Sequence, residues 1–460
     1  MASRRDQLQS YQFRSQRVVS AFVMRETDPA QSPLRRGGGA LLVGGMVAVL
    51  VAAAFGIYGL LTKLGGNSWK ADGTVVVEKE SGATFVYGAG TLYPTLNYAS
   101  ALLAAGHGPP VVKRVAANSL AGTPRAAVVG IPGAPNSVPD AKHLTGLPWT
   151  VCSAQRTGGN PAVVVQLTIA GPGPGGRAPG PDDGILVTDT ASTTILIWHG
   201  YRYKLDKSIR AALFAASPAT PVGNALLESL PAGADIRDIT VNKATAESAA
   251  VPGRHNGDVL VAQTGSGPLY YLVLDDGLAA LSELQKDIAT KAGAEPQQID
   301  LQTAERAKKS GALPQLSGPQ APPLKPPHLS AVGAGDTVCA EFGADAAAPA
   351  LSIGAAVTVA GVPTRGRTNS GGALADLVAV PSGRAALVVS EPTAGFPIGG
   401  WSLITDTGYR YPVVSEQDVQ FLGYDPAAAG RVPAALLARI PAGPSLSHDA
   451  AVGAASIVAK

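Results

Sequence analysis

Cysteine, aromatic side chains and charge are all scarce in this sequence of 460 residues. Two cysteines cannot build a disulfide-rich scaffold or a cysteine-ligated zinc cluster. Charged residues reach only 15%, the net charge is +3, and no long Lys/Arg run or aromatic-interleaved basic patch occurs. That excludes the electrostatic footprint of a nucleic-acid binder, and no nucleic-acid partner is expected. The dipeptide Gly-Lys is absent, so no G-x-x-x-x-G-K-[ST] phosphate loop can be placed. H-E-x-x-H and G-x-S-x-G are absent too. The six histidines, His107, His143, His199, His255, His328 and His448, stand apart, none at a metal-ligand spacing. Gly265-Ser266-Gly267 and the acidic pairs Asp182-Asp183 and Asp275-Asp276 read as turns. No catalytic residue, metal or cofactor is therefore expected.

What is present is apolar. Hydrophobic residues make up 46%, with 55 Gly and 37 Pro, enough for a core in two or more loop-rich domains. From Gly37 to Thr62 no charge interrupts 26 residues, which spans a hydrocarbon core of roughly 30 Å as a helix. A cleaved signal peptide has a shorter apolar region and a shorter lead, and a buried core helix is shorter as well. Arg4, Arg5, Arg14, Arg17, Arg25, Arg35 and Arg36 precede this segment, against Asp6, Glu26 and Asp28. That bias predicts a cytoplasmic N-terminus, with the chain from about Lys63 onward outside. Leu8, Tyr11, Arg14 or Ser15, Val18, Val19 and Phe22 recur near helical spacing in the leading arm. Two readings of this amphipathic helix stand side by side, one resting on anionic headgroups and one docking to a partner.

The topology places Cys152 and Cys339 where disulfides persist, and a bridge between them is expected. Their contexts, WTVCSA and DTVCAE, are alike, and each precedes an apolar run ending in Ala-Gly, AVVVQLTIAG and LSIGAAVTVAG. Two related strand pairs are expected side by side. A further likeness is Gly200-Tyr201-Arg202-Tyr203 against Gly408-Tyr409-Arg410-Tyr411, each after an apolar run and each followed by ALLESLPAG or ALLARIPAG. Strand, glycine turn and strand is the reading, with Arg202 and Arg410 either binding an anionic ligand or sitting between tyrosines on a plain hairpin. Looser copies centre on Gly82 and Gly277, giving four units.

The expected class is α+β, mainly β: four hairpin-based repeats around a split, disulfide-linked central domain, after a cytoplasmic amphipathic helix and one transmembrane helix. The expected divisions are a cytoplasmic arm at 1–36, the membrane helix at 37–62 and a first repeat at 63–110. The first central half follows at 111–180, then repeats at 181–252 and 253–321, the second central half at 322–395 and a last repeat at 396–460.

SRRDQLQSYQFRSQRVVSAFV before the membrane segment, PLRRGGG at its mouth and SGATFVYGAGTLYPTLNYASALL after it carry a resemblance over essentially the full length. The chain resembles the EccB family, the single-pass component of the actinobacterial type VII (ESX) secretion membrane complex. The two lone external cysteines and the four repeats are similar to that family too. The resemblance implies a structural subunit whose arm, through Tyr11, Phe13, Arg14, Arg17, Val18 and Phe22, contacts other membrane subunits including the motor ATPase EccC. It implies an ectodomain that pairs with other copies as the outer part of the channel, with contact to the cell wall left open by the repeats' likeness to wall-binding folds. Family members are commonly labelled ATPases. This sequence departs from that label in having no nucleotide loop, and ATP is ordinarily absent outside the membrane.

Overall fold

The structure is a computed structural model that describes residues 3–25, 33–61, 67–155, 163–291, 293–313, 316–344, 348–392 and 399–453. Glu26, Asp28, Thr62 and Lys63 of the charge argument lie outside the described residues. The chain divides into two compact units, Met1–Trp69 and Lys70–Lys460.

In the first unit α1 runs from Arg4 to Met24 and α2 from Pro33 to Leu61. Ser3 caps α1 by accepting from the Arg5 amide while Asp6 reaches back to the Ser3 amide, a reciprocal capping box. Within α2, Gly37–Gly59 has a mean hydropathy of 2.5 and is long enough to cross a bilayer. On α1, Leu8, Tyr11, Val18 and Phe22 are all exposed. Phe13 stands off that apolar stripe, with the Arg17 guanidinium 5.3 Å from its ring centroid one turn on.

Among the described residues the second unit holds five sheets. The first module contains β1 (Thr74–Glu78), β2 (Thr84–Gly88), β3 (Thr91–Pro94), α3 (Tyr98–Ala105), β4 (Val112–Val115) and α4 (Ala117–Leu120). Next come β5 (Trp149–Gln155) and β6 (Val163–Ile169), the first central half. The second module follows with β7 (Asp183–Thr188), β8 (Thr194–Trp198), β9 (Tyr201–Lys204), α5 (Lys207–Phe214), β10 (Thr220–Pro221) and α6 (Asn224–Ser229). The third has β11 (Val259–Thr264), β12 (Gly267–Leu274), β13 (Gly277–Leu281), α7 (Glu283–Thr290), β14 (Gln297–Gln298) and α8 (Leu301–Arg306). The second central half is β15 (His328–Leu329), β16 (Val338–Phe342), β17 (Ala350–Ile353), β18 (Val362–Pro363) and β19 (Leu377–Ala379). The fourth module is β20 (Ala385–Glu391), β21 (Trp401–Thr405), β22 (Arg410–Val413), α9 (Glu416–Phe421), β23 (Gly430–Pro433), α10 (Ala434–Leu437) and α11 (His448–Val452).

The four modules share one order. Three strands form an antiparallel meander, a helix crosses over, and a fourth strand pairs parallel to the first, as β4 with β1, β10 with β7, β14 with β11 and β23 with β20. A helix crossover is what a parallel pair requires. After the next short helix, each chain runs parallel to its third strand at isolated bridges: Leu92 with Arg125, Arg202 with Ala232, Leu278 with Lys309 and Arg410 with Ala442.

The central sheet has the order β17-β16-β5-β6-β19-β18, so each cysteine strand lies beside the other and beside its own follower. Cys152 pairs directly with Cys339 in antiparallel register, with Cα atoms 4.1 Å apart and the disulfide closed. The segment leading each half pairs with the module that follows the other half, Leu144 with Ala385 of β20 and β15 with β7. The halves are thereby exchanged around the disulfide. The central core gathers Trp149, Leu167, Ile185, Ile197, Leu226 and Leu436, all without exposed surface.

Three expectations are corrected. The boundary at 110/111 would cut β4 from the first sheet, because Val112–Val115 pairs with Val75–Glu78. A boundary at 395/396 would split the β20–β21 hairpin, since β20 pairs with β21 and not with the central sheet. The long apolar run LSIGAAVTVAG is strand only to Ile353, because positive φ at Gly354 turns the chain out of the sheet.

Candidate functional site

The two GYRY stretches are the strongest candidates the sequence offers. Trp198 pairs with Tyr201, leaving His199-Gly200 as a two-residue turn with φ of 49° and 78°. Positive φ at both positions is what a tight hairpin needs. In the fourth module Ile404 pairs with Arg410, and Gly408 takes φ 78° at the end of a longer loop closed by Tyr409 O accepting from the Thr405 amide at 3.2 Å. The same four letters thus follow loops of different length. Tyr201 is buried, whereas Tyr409 is 43% exposed. Both turns approach the second central half: a Cβ on Gly200 would meet Ala348 at 2.9 Å, and one on Gly408 would meet Val362 at 2.9 Å. In the third module Leu274 pairs with Gly277, so Asp275-Asp276 is the two-residue turn and Gly277, expected at the turn, instead opens β13 against the backbone of Lys308 and Lys309. Gly82 does not correspond, for it turns the first hairpin, between β1 and β2.

The arginines face their own modules. Arg202 Nε donates to Leu230 O at 3.3 Å and Arg410 Nε to Ile440 O at 3.1 Å, each just before Pro-Ala-Gly. The backbones continue the pattern: Arg202 and Arg410 amides donate to Pro231 and Pro441 carbonyls at 3.0 Å, and Gly233 and Gly443 amides return to Arg202 and Arg410. Tyr203 and Tyr411 lie against these glycines, where a Cβ would collide with either ring. Glycine is required there by close approach. The Tyr203 hydroxyl donates to Ala321 O at 2.9 Å, and burial pushes it up to about 12. One arrangement of strand, arginine, tyrosine and Pro-Ala-Gly is therefore built twice.

The two copies meet where α6 and α10 pack in the central core. Arg439, next to Ile440, is buried and pairs with Glu228 of α6; its Nε also donates to Ala435 O at 3.0 Å and its Nη1 to Ala373 O at 2.6 Å. Burial, and then the neighbouring Arg439 charge, holds Arg410 below the ordinary arginine range. Sequence reading passed over Arg439 and Glu228, since they occupy different positions of the matched ALLESLPAG and ALLARIPAG segments. Among the described residues no cluster of three or more His, Cys, Asp or Glu could hold a metal ion.

A family model described as "Type VII secretion system ESX-1, transport TM domain B" matches residues 1–460. The chain belongs to the EccB family of type VII secretion. Among EccB relatives, the ESX-2 secretion system ATPase EccB2 of Mycobacterium tuberculosis strain H37Rv is 31% identical, over 88% of this chain and 86% of that protein. The ESX-3 secretion system ATPase EccB3 of the same strain is 27% identical, over 96% and 88%. Among solved structures, the EccB3 dimer from the ESX-3 core complex matches with a TM-score of 0.60 and 26% identity, over 83% of this chain and all of that one. A chain of the periplasmic assembly from the ESX-5 inner membrane complex matches with a TM-score of 0.60 and 25% identity, over 84% and 95%. Family, α+β class, the one apolar helix of membrane length among the described residues, near the N-terminus, and the disulfide thus agree.

Proposed function

We propose that the chain is a structural and assembly subunit of a type VII secretion membrane complex. The observation that carries this is the EccB family match over the whole chain, supported by the fold shared with a dimeric EccB3 and with a periplasmic ESX-5 assembly. On this reading α2 anchors the protein, the arginine-rich arm stays in the cytoplasm and Lys70–Lys460 forms the extracytoplasmic part that pairs with other copies. The exposed apolar stripe of α1 contacts neighbouring subunits, EccC among them.

Deleting residues 1–30 tests the arm. The second unit stays folded, and copurification with the other membrane subunits is lost; a truncated chain that copurifies normally removes this role for α1. Wall contact through the repeats is a separate possibility that pelleting with purified peptidoglycan decides, sedimentation no greater than background counting against it. The relatives carry the word ATPase in their names. For this chain we propose no nucleotide cofactor, because no phosphate loop exists in the sequence. Phosphate release by the purified full chain above a mock-purified control would overturn that.

A further inference from the structure

Two module seams in the second unit are built alike, and they differ in one element. In the seam between the first and fourth modules, the Ala99 amide of α3 donates to Pro135 O at 3.2 Å, which ties down the linker that follows the first module. Helix α11 then closes the seam. Its His448 Nδ1 lies 2.8 Å from Leu103 O of α3, its ring meets Phe421 edge-on at 5.6 Å, and Ala451 has no exposed surface. In the seam between the second and third modules, the Leu284 amide of α7 donates in the same way to Leu324 O at 2.9 Å. Ile236 bridges Leu205 as Leu446 bridges Val413. After Ile236, however, the chain continues as Arg237–Thr240 without a helix.

A cavity of about 240 Å³ lies there, lined by Ile236, Ile239, Leu284, Ile288, Leu313 and Leu324. Ser282 and Leu324 are shared with a second cavity of about 620 Å³ that runs beside β12 and β13 past Leu269, Tyr270, Tyr271 and Leu281. Leu324, Leu316 and Leu269 along this channel are 69%, 54% and 43% exposed. Three exposed leucines beside two adjoining apolar hollows form a contiguous patch, unlike scattered surface leucines. The rim carboxylates Asp235 and Asp238 are paired with Arg237 and Lys291.

We propose that this seam docks a short amphipathic helix from another subunit of the secretion complex, seated where α11 sits in the sister seam. The inference rests on the subunit reading above and names a surface for it. What argues for a helix is the protein's own second copy of the seam, where a helix is the element that fits between a module helix and its linker. A helix laid in an apolar groove is recognised through side chains spaced three and four apart.

The test uses the full chain in its membrane complex, with the photocrosslinking residue p-benzoylphenylalanine at position 324 or 316, or at the exposed Val359 as a control. Expected are adducts from 324 and 316 to one copurifying subunit, at partner residues three or four apart, and none from 359. Leu324→Glu, on a largely exposed side chain, is expected to cut the adduct from 316 at least ten-fold with the melting temperature unchanged. A complex that copurifies intact yet gives no adduct at 324 and 316, adducts only between copies of this chain, or partner residues at every second position would each overturn the docking helix. A wild-type chain that copurifies with no other subunit strikes the subunit reading itself.

Discussion

Arg439 and Glu228 form an ion pair between the fourth and second modules, at the seam of α10 and α6, with Arg439 only 2% exposed. The pair joins segments that are otherwise each other's repeat, and it distinguishes them: the carboxylate exists on one side only. Glu228→Ala strands an interior guanidinium. It is expected to destabilise the full chain by about 2–3 kcal/mol, less than a fully enclosed charge costs because Glu228 keeps 38% of its side chain in water. The double change Glu228→Leu with Arg439→Met leaves no unpaired charge but takes the donor from Ala435 O and Ala373 O, and it is expected to cost about 1–2 kcal/mol, no more than Glu228→Ala alone. Denaturant unfolding of the purified chain in detergent checks both.

Gly233 and Gly443 are matched positions under Tyr203 and Tyr411. Alanine at either site forces its ring aside, with an expected loss of about 1–3 kcal/mol. Trimming the ring relieves the clash, so Gly233→Ala with Tyr203→Leu costs less than the sum of the two single changes. A double-mutant cycle measures that coupling.

The tyrosine itself gives a pH signature. Its pKa is raised in the fold, to about 12 from an unfolded value near 10, so its contribution is fully present below pH 10 and is lost as pH rises through 12. Tyr203→Phe therefore flattens the loss of stability between pH 10 and 12, while costing about 1 kcal/mol at pH 7 for the hydrogen bond to Ala321 O. Melting curves across that range report it.

Cys152 and Cys339 are 4% and 0% exposed and close a separation of 187 residues. Reductant alone should leave the bond intact, and reductant with denaturant should open it. Removing the bond as Cys152→Ala/Cys339→Ala is expected to lower stability by up to about 5 kcal/mol in the chain-entropy account. Thiol labelling with and without denaturant, followed by melting of the variant, measures both effects.

Much of this architecture was readable because it rests on local chemistry. An uncharged run of membrane length, two cysteines in similar contexts and a doubled GYRY each point to one element without tertiary information. The modules' limits were not readable. β10 and β14 have two residues each, too short for any period, and β4 is placed by Val75–Glu78 more than thirty positions earlier. Gly82 misled for a related reason: in a meander the first and second hairpins both read as strand, glycine, strand, and only pairing tells them apart. The arginines' true neighbours were hidden as well, since Leu230 O and Ile440 O are backbone atoms with no signature in the sequence.

The most direct measurement of the central claim is the native mass of the tagged full chain extracted from its own membranes in mild detergent. The account predicts an assembly holding more than one copy of this chain together with other type VII secretion subunits. A mass equal to a single chain in its detergent micelle would contradict it.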